Sequence, residues 1–219
     1  METRQVRAIK VLLPSGDDHP RTTVTEPGGG DLTDITAARR DWSRLRLEDR
    51  SISGSILNGI VMAESHIERA RITNTTLDGC DLASSRWTDV KLDRCVLRGC
   101  RLTGVQAHRI TLSEVIFERC RLDYAFLSGL HASGATAFLD CVLREATIEN
   151  SRLDGVVIAD GSLAGLELVD TRLHGADLRG CDLQGISGLT SLTGCAVTGE
   201  QVGALTEAML TELRIQVAD

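Results

Sequence analysis

Bulky apolar residues recur at every fifth position along most of this chain. Counting from Trp42 gives Leu47, Ile52, Leu57, Met62, Ile67 and onward through Leu122 and Leu127 to Ala132; after a one-residue slip near Gly134 the series resumes at Phe138 and runs to Leu183. Neither the helical period of about 3.6 residues nor the strand period of about 2 generates such a series. Two residues before each station sits a smaller side chain, for example Ser55, Ala70, Cys80, Val90, Cys100, Ala125 or Ala176. Both classes point inward, and the three remaining positions carry most of the Arg, Asp, Glu, Asn and Gly. A five-residue unit that buries two side chains and turns a corner describes one side of a square coil. Because a stack of coils grows in one direction without splitting its core, the 219 residues are read as one continuous domain. Only 3% of residues are aromatic although 42% are hydrophobic, which suits an interior filled by Leu, Ile, Val, Ala and Cys.

Units such as Cys80-Asp81-Leu82, Cys120-Arg121-Leu122, Ala176-Asp177-Leu178 and Cys181-Asp182-Leu183 resemble the pentapeptide-repeat family, whose consensus is Ala-Asp/Asn-Leu-x-x. The resemblance implies an all-β solenoid: a right-handed quadrilateral β-helix with four units per coil, in which residues twenty apart stack. The chain then divides into an N-terminal segment and cap at 1–41, a repeat rod at 42–185 and a C-terminal cap with a short α-helix at 186–219. With coils about 4.8 Å apart, seven coils make a rod roughly 34 Å long.

Departures from the pattern mark its ends and its slip. Arg40 and Arg50 occupy small inward positions, where a guanidinium could not be buried unpaired, so the first coils are incomplete or open. Leu130 and Ala132 invert the small-then-large order, and 132–137 reads as a one-residue bulge. Arg4 to Leu13, ending at Pro14, alternates loosely as a further strand, and Pro20 to Asp31 reads as a mobile link. At the other end Thr198 and Gln201 form a capping box for a helix at 199–212, with Val202, Leu205, Ala208, Met209 and Leu213 on one face. That stripe covers the last coil or meets a second chain. Val202, Leu205, Met209 and Leu213 are its cap or homodimer contacts, expected to be buried in either arrangement.

Chemistry-bearing residues do not converge. Four units per coil stack Cys80, Cys100, Cys120 and Cys141 in one column, continued by Gly161 and Cys181. No His or carboxylate ligand lies inside that column, and parallel projection gives poor disulfide geometry, so these thiols are read as reduced small hydrophobes. His19, His66, His108, His131 and His174 are scattered. No nucleophile–base arrangement or phosphate-cradling glycine loop is present, so no enzyme activity, metal or cofactor is expected. A formal charge of −7 disfavours direct nucleic-acid binding, which needs a basic stripe. Nothing resembles a signal peptide or membrane span, which with the unpaired cysteines suggests the cytoplasm.

Surface charge is the remaining place for function. One wall carries Glu48, Asp49, Glu68, Asp89, Glu149, Glu167 and Asp170, its first half interrupted by Arg46, Arg69, Arg86 and Arg109. Another carries Arg71, Lys91, Arg94, Arg152 and Arg172. The leading expectation is a non-enzymatic module whose acidic wall binds another protein, and the bland alternative is a solvated mixed-charge surface. The resemblance implies a narrower reading, since some bacterial family members mimic duplex DNA, dimerise through a C-terminal helix and bind DNA gyrase or related topoisomerases, giving resistance to topoisomerase inhibitors.

Overall fold

The protein is described by a computed structural model over residues 2–15 and 20–217, which leaves His19 outside the described residues. The chain winds into a parallel β-solenoid of about seven turns followed by one short helix. Its four walls are numbered by the stations at their centres. Wall one is centred on Trp42, Met62, Leu82 and their successors, wall two on Leu47, Ile67 and Trp87, wall three on Ile52, Ile72 and Leu92, and wall four on Leu57, Leu77 and Leu97.

Pairing is parallel with a register of twenty. On wall two Arg46–Glu48 pairs with His66–Glu68, which pairs with Arg86–Thr88, and so on to Glu167–Val169. Walls three and four share a second sheet, in which Arg71–Asp78, Lys91–Arg98 and Thr111–Glu118 run unbroken across the corner between them. Single bridges join wall one, from Asp41↔Val61 to Ser162↔Asp182. The slip is visible as a change of register. Leu112 faces Ala132, twenty residues on, whereas Val115 faces Thr136, twenty-one on. The extra residue is accommodated around Gly134, where an added Cβ would lie 2.8 Å from Ser113 Oγ.

Every station from Trp42 to Leu127 and from Phe138 to Leu183 is buried; Ala132 alone is half-buried, with Leu130 filling the space beside it. Burying each such Leu, Ile or Phe contributes about 1.5–3 kcal/mol, so the interior holds the rod without metal or disulfide. Except at Gly134 in the slip, the corner residue two past each station lies in the left-handed region: Asp49, Arg69, Asp89 and Arg109 at φ 49–55°, and glycines such as Gly79 and Gly99 elsewhere. Glycine reaches that region without strain, while side chains there cost about 1 kcal/mol.

The coil begins earlier than the apolar count shows. Leu32, Ile35 and Ala37 are buried in register with Ile52, Ser55 and Leu57, and Thr22–Thr23 pairs with Ile35–Thr36, so part of the segment read as a mobile link belongs to a sheet. Arg40 is exposed, whereas Arg50 is half-buried: it donates from Nη2 to the Gly28 carbonyl at 2.6 Å while its Nε is buried without a hydrogen-bond partner. Trp42 Nε1 donates to the Thr25 carbonyl at 3.0 Å, tying this segment over the first coil.

Residues 3–12 form an antiparallel hairpin, β1 (Thr3–Val6) and β2 (Ile9–Leu12). It does not extend the stack. It lies along the outside of wall four, with Val6 and Val11 packed on Val96, Ile116, Ala137 and Val157.

The last coil is closed by α1 (Val202–Glu212), preceded by a single 3-10 turn at Gly199–Gln201. Gln201 is the plug. Its Oε1 accepts from the Thr198 backbone N–H at 2.8 Å, and its Nε2 donates at 2.8 Å to the carbonyls of both Leu178 and Cys181. The Leu178 carbonyl also accepts from the Cys181 N–H at 3.2 Å, whereas the Cys181 carbonyl has Gln201 as its donor among the described residues. The expected stripe is corrected here. Ala204, Leu205 and Ala208 pack on the core, whereas Val202, Met209 and Leu213 are 52%, 40% and 63% exposed. The helix presents its small residues to the coil because Gln201 holds its first turn close to the last carbonyls.

Replacing Gln201 with Ala leaves the buried Cys181 carbonyl without a donor and takes one of two donors from Leu178, a cost of about 2 kcal/mol. A urea melt should show that loss together with faster amide exchange in α1; an unchanged midpoint would remove Gln201 from the capping role.

Candidate interaction walls

Wall two brings the sequence-predicted acids together as a surface, but in two unlike halves. In the first half the charges are paired between coils. Arg69 reaches back twenty residues to grip Asp49 with Nε–Oδ1 2.6 Å and Nη2–Oδ2 2.7 Å, and it also pairs with Glu68. Arg109 grips Asp89 in the same way, at 2.6 Å for both bonds. Glu48 pairs with Arg46 at 3.5 Å. These arginine hydrogen bonds hold the Asp49 and Asp89 carboxyls below their usual range. The pairs are open to water, so each adds little stability. Their effect on the wall is to neutralise it.

In the second half Glu149, Glu167 and Asp170 have no ion pair among the described residues; Glu167 and Asp170 are exposed and Glu149 half-buried. Two acids unnoticed in the sequence join them. Glu207 and Glu212 of α1 line, with Glu167, Gln184 and Ala208, a groove of about 480 Å³ between helix and rod. Glu212 Oε2 accepts from the Gly188 and Leu189 N–H groups at 3.0 and 3.1 Å, which seats the helix end beside wall two. Helical residues five apart gave no five-residue signal that would have tied them to this wall. On the other side of α1, Leu189, Leu192, Leu205, Met209 and Leu213 line an apolar groove of about 430 Å³.

Wall three stacks Arg71 on Lys91 and Arg152 on Arg172 in one row, with Arg94 at the corner. Arg94 is paired with Asp93 and Arg172 with Asp154. Wall four carries the hairpin contacts, which sequence reasoning missed. Arg4 meets Glu118 at 3.2 Å, Arg7 meets Asp177 at 2.8 Å and Asp160 at 3.3 Å, and the Leu12 N–H donates to Glu114 at 2.6 Å. Arg179, with Arg7 beside it, holds the Asp177 carboxyl down at about 2. A signal did exist: Val96, Ile116, Ala137 and Val157 put apolar residues at outward positions twenty or twenty-one apart.

An apolar space of about 40 Å³ lies inside the rod beside Trp87, Ala107 and Leu127, too small for more than one or two solvent molecules. Among the described residues no group of three or more His, Cys, Asp and Glu side chains is placed to hold a metal ion, and no helix is long and apolar enough to cross a membrane.

Comparison with known proteins fits this geometry. The family profile described as pentapeptide repeats, in 8 copies, matches residues 159–186. The chain therefore contains pentapeptide repeats at residues 159–186. Its five-residue units, four to a coil, extend well beyond the matched stretch in both the sequence and the fold. Among solved structures the chain is similar to QnrB1, a plasmid-mediated fluoroquinolone resistance protein, at 14% identity over 82% of this chain and 99% of that one, with a TM-score of 0.38. It is also similar to HetL, a pentapeptide-repeat protein involved in heterocyst differentiation regulation from the cyanobacterium Nostoc, at 18% identity over 78% of this chain and 86% of that one, with a TM-score of 0.29. No curated protein matches. Similarity at this level says nothing of partners.

The cysteines occupy the small inward position for a structural reason. Cys80, Cys100 and Cys120 each donate from Sγ to the carbonyl twenty-three residues earlier, on Leu57, Leu77 and Leu97, at 3.3–3.5 Å. Across the slip Cys141 does the same to Phe117 at 3.5 Å. Ser55 and Thr171 do it with hydroxyls, to Leu32 and Ile148. A small side chain with one donor can therefore pair at this position, as these residues do, although Ser65 Oγ is buried there without a partner. All seven thiols are free, and only Cys195 is more than marginally accessible. Burial pushes Cys95 up to about 12 and Cys195 up to about 11, so these two thiols hold little reactive thiolate at neutral pH, while in the stacked column the protection is closure of the coil around the thiols. Alkylation of the native protein should therefore be slow, rise with pH toward 11 and mark Cys195 first. Rapid labelling of Cys80, Cys100, Cys120 or Cys141 without denaturant would contradict the closed column.

Proposed function

We propose that this chain is a non-enzymatic protein-interaction module. Its rod presents the C-terminal half of wall two to a basic surface on another protein. The observation that supports this reading is the contrast along one wall: Asp49 and Asp89 are held by arginines, whereas Glu149, Glu167 and Asp170 are left without ion pairs beside Glu207 and Glu212. Unpaired carboxylates attract a basic partner over the Debye length and set its orientation on arrival. The full partner surface on this reading is Glu48, Asp49, Glu68, Asp89, Glu149, Glu167 and Asp170, with its strength in the last three. A filled interior, with no nucleophile–base pair among the described residues, favours binding over catalysis.

The exposed Val202, Met209 and Leu213, with Leu205 at the edge of the apolar groove, favour a homodimer contact over a simple cap. The alternative function is a DNA-mimicking modulator of DNA gyrase or a related topoisomerase. Such mimicry needs carboxylates along a whole wall, and here it would be confined to the C-terminal half and a dimer built on it. We take the protein to act in a bacterial cytoplasm, where free thiols stay reduced, without binding nucleic acid or membrane directly.

The triple variant Glu149→Lys, Glu167→Lys, Asp170→Lys should lower capture of the native partner from host lysate at least tenfold and leave the circular dichroism spectrum unchanged. The same protein in a gyrase supercoiling assay separates the two readings. Inhibition lost in the triple variant supports the mimic. Retained partner capture or retained inhibition in the variant would show that the binding wall is another one.

A further inference from the structure

The outward positions of wall four are unlike those of the other walls. Val96 is 6% exposed, Ile116 and Ala137 0% and Val157 1%, as dry as the interior stations. What dries them is β1–β2. Val6 and Val11 press on this stripe, and the arginine at the hairpin turn, Arg7, reaches Asp177 and Asp160.

The attachment has the character of a bound ligand. β1 and β2 form a two-stranded sheet of their own and join neither of the large sheets. Where the hairpin's backbone touches the rod, it does so through rod side chains, with the Leu12 and Ser15 N–H groups donating to Glu114 and Asn74. The hairpin's apolar cluster is separate from the core that fills the coils. Each coil keeps its backbone ladder and its interior packing without β1–β2. Removing the hairpin would uncover a contiguous aliphatic stripe flanked by acids, a composition that marks a docking surface.

We propose that wall four is a hairpin-docking surface and that β1–β2 is its built-in occupant, a strap that leaves the intact rod and gives way to a partner hairpin. The occupant chemistry is set by β1–β2 itself: aliphatic side chains on one face and an arginine at the turn, received by Asp160 and Asp177. A strap tethered to its own site competes at high effective concentration, so the wall is masked until the ion pairs at its turn are weakened or a tighter hairpin arrives. The arginine pairs are partly exposed and therefore sensitive to salt.

The test uses the full-length chain and its Arg4→Glu, Arg7→Glu double variant, with a fluorescent synthetic peptide of residues 2–15 as the probe hairpin. Hydrogen exchange should show at least a tenfold loss of protection over residues 3–12 in the variant, with the coils from 60 to 180 unchanged. The peptide should bind the variant at least tenfold more tightly than the wild type. Should the variant not fold, the wild type is followed from low salt to about 1 M, where charge attraction is screened within about 3 Å; hairpin protection should then fall before that of the coils. Loss of coil protection together with the hairpin, in either experiment, would make β1–β2 an integral part of the rod and overturn the proposal. A released hairpin whose wall does not bind the peptide would overturn it equally.

Discussion

The structure depends on one constraint: each backbone amide must find its partner in the next coil, while two of every five side chains fill a shaft only a few side chains wide. The first demand fixes the register at twenty, as in Arg71↔Lys91↔Thr111 on wall three. The second demands that stacked residues match in size. Phe117 and Phe138 show both at once, stacked across the slip with ring centroids 4.6 Å apart and planes within 2°. A hydrogen-bonded pile of coils tolerates an inserted residue only where a corner can absorb it, and the bulge at Gly134 keeps the stations on either side in register. The same constraint explains the chemistry of the small inward position. It lies under the carbonyl of the preceding coil, so Cys, Ser and Thr recur there as donors.

The rod was readable because its signal repeats. Stations, small positions, glycine corners and the slip each appear many times or interrupt something that does, and the structure places them where the spacing put them. Nonrepeating parts carried less information. Leu32 and Ala37 extend the five-residue count below Trp42, but the polar residues between them and Arg40 concealed it. The hairpin's place on wall four was invisible from its own residues, since alternation in Arg4 to Leu13 names a strand and not its neighbour. The helix stripe divides for a local reason: Leu205 and Ala208 pack on the coil, where Gln201 reaching Leu178 and Cys181 holds the first turn, whereas Val202, Met209 and Leu213 face outward. A single polar side chain bound to two carbonyls outweighs a modest apolar stripe.

The candidate surface was legible in part. Seven acids were assigned to one wall, and the pairing confirms that they share it; the sequence also showed arginines interrupting its first half. The coordinates add that these arginines neutralise particular carboxylates by reaching back one coil, and that Glu207 and Glu212 extend the unpaired acidic region from the helix. Charge on a solenoid is thus written in two directions: along the chain, where it is read easily, and between coils, where arginines twenty residues away cancel what the chain direction suggests.

All of these arguments rest on coils stacked at a constant rise with a register that changes once. Pulsed dipolar spectroscopy between nitroxide labels tests this directly. With one label at residue 48 and the second at 128, 149 or 169, which lie four, five and six coils away on wall two, the separations should increase by about 4.8 Å per coil, from about 19 to about 29 Å. Narrow distance distributions with that increment are the predicted result. Broad distributions, or separations that do not grow by one coil spacing per step across the slip at Gly134, would contradict the single continuous rod on which the account of the walls is built.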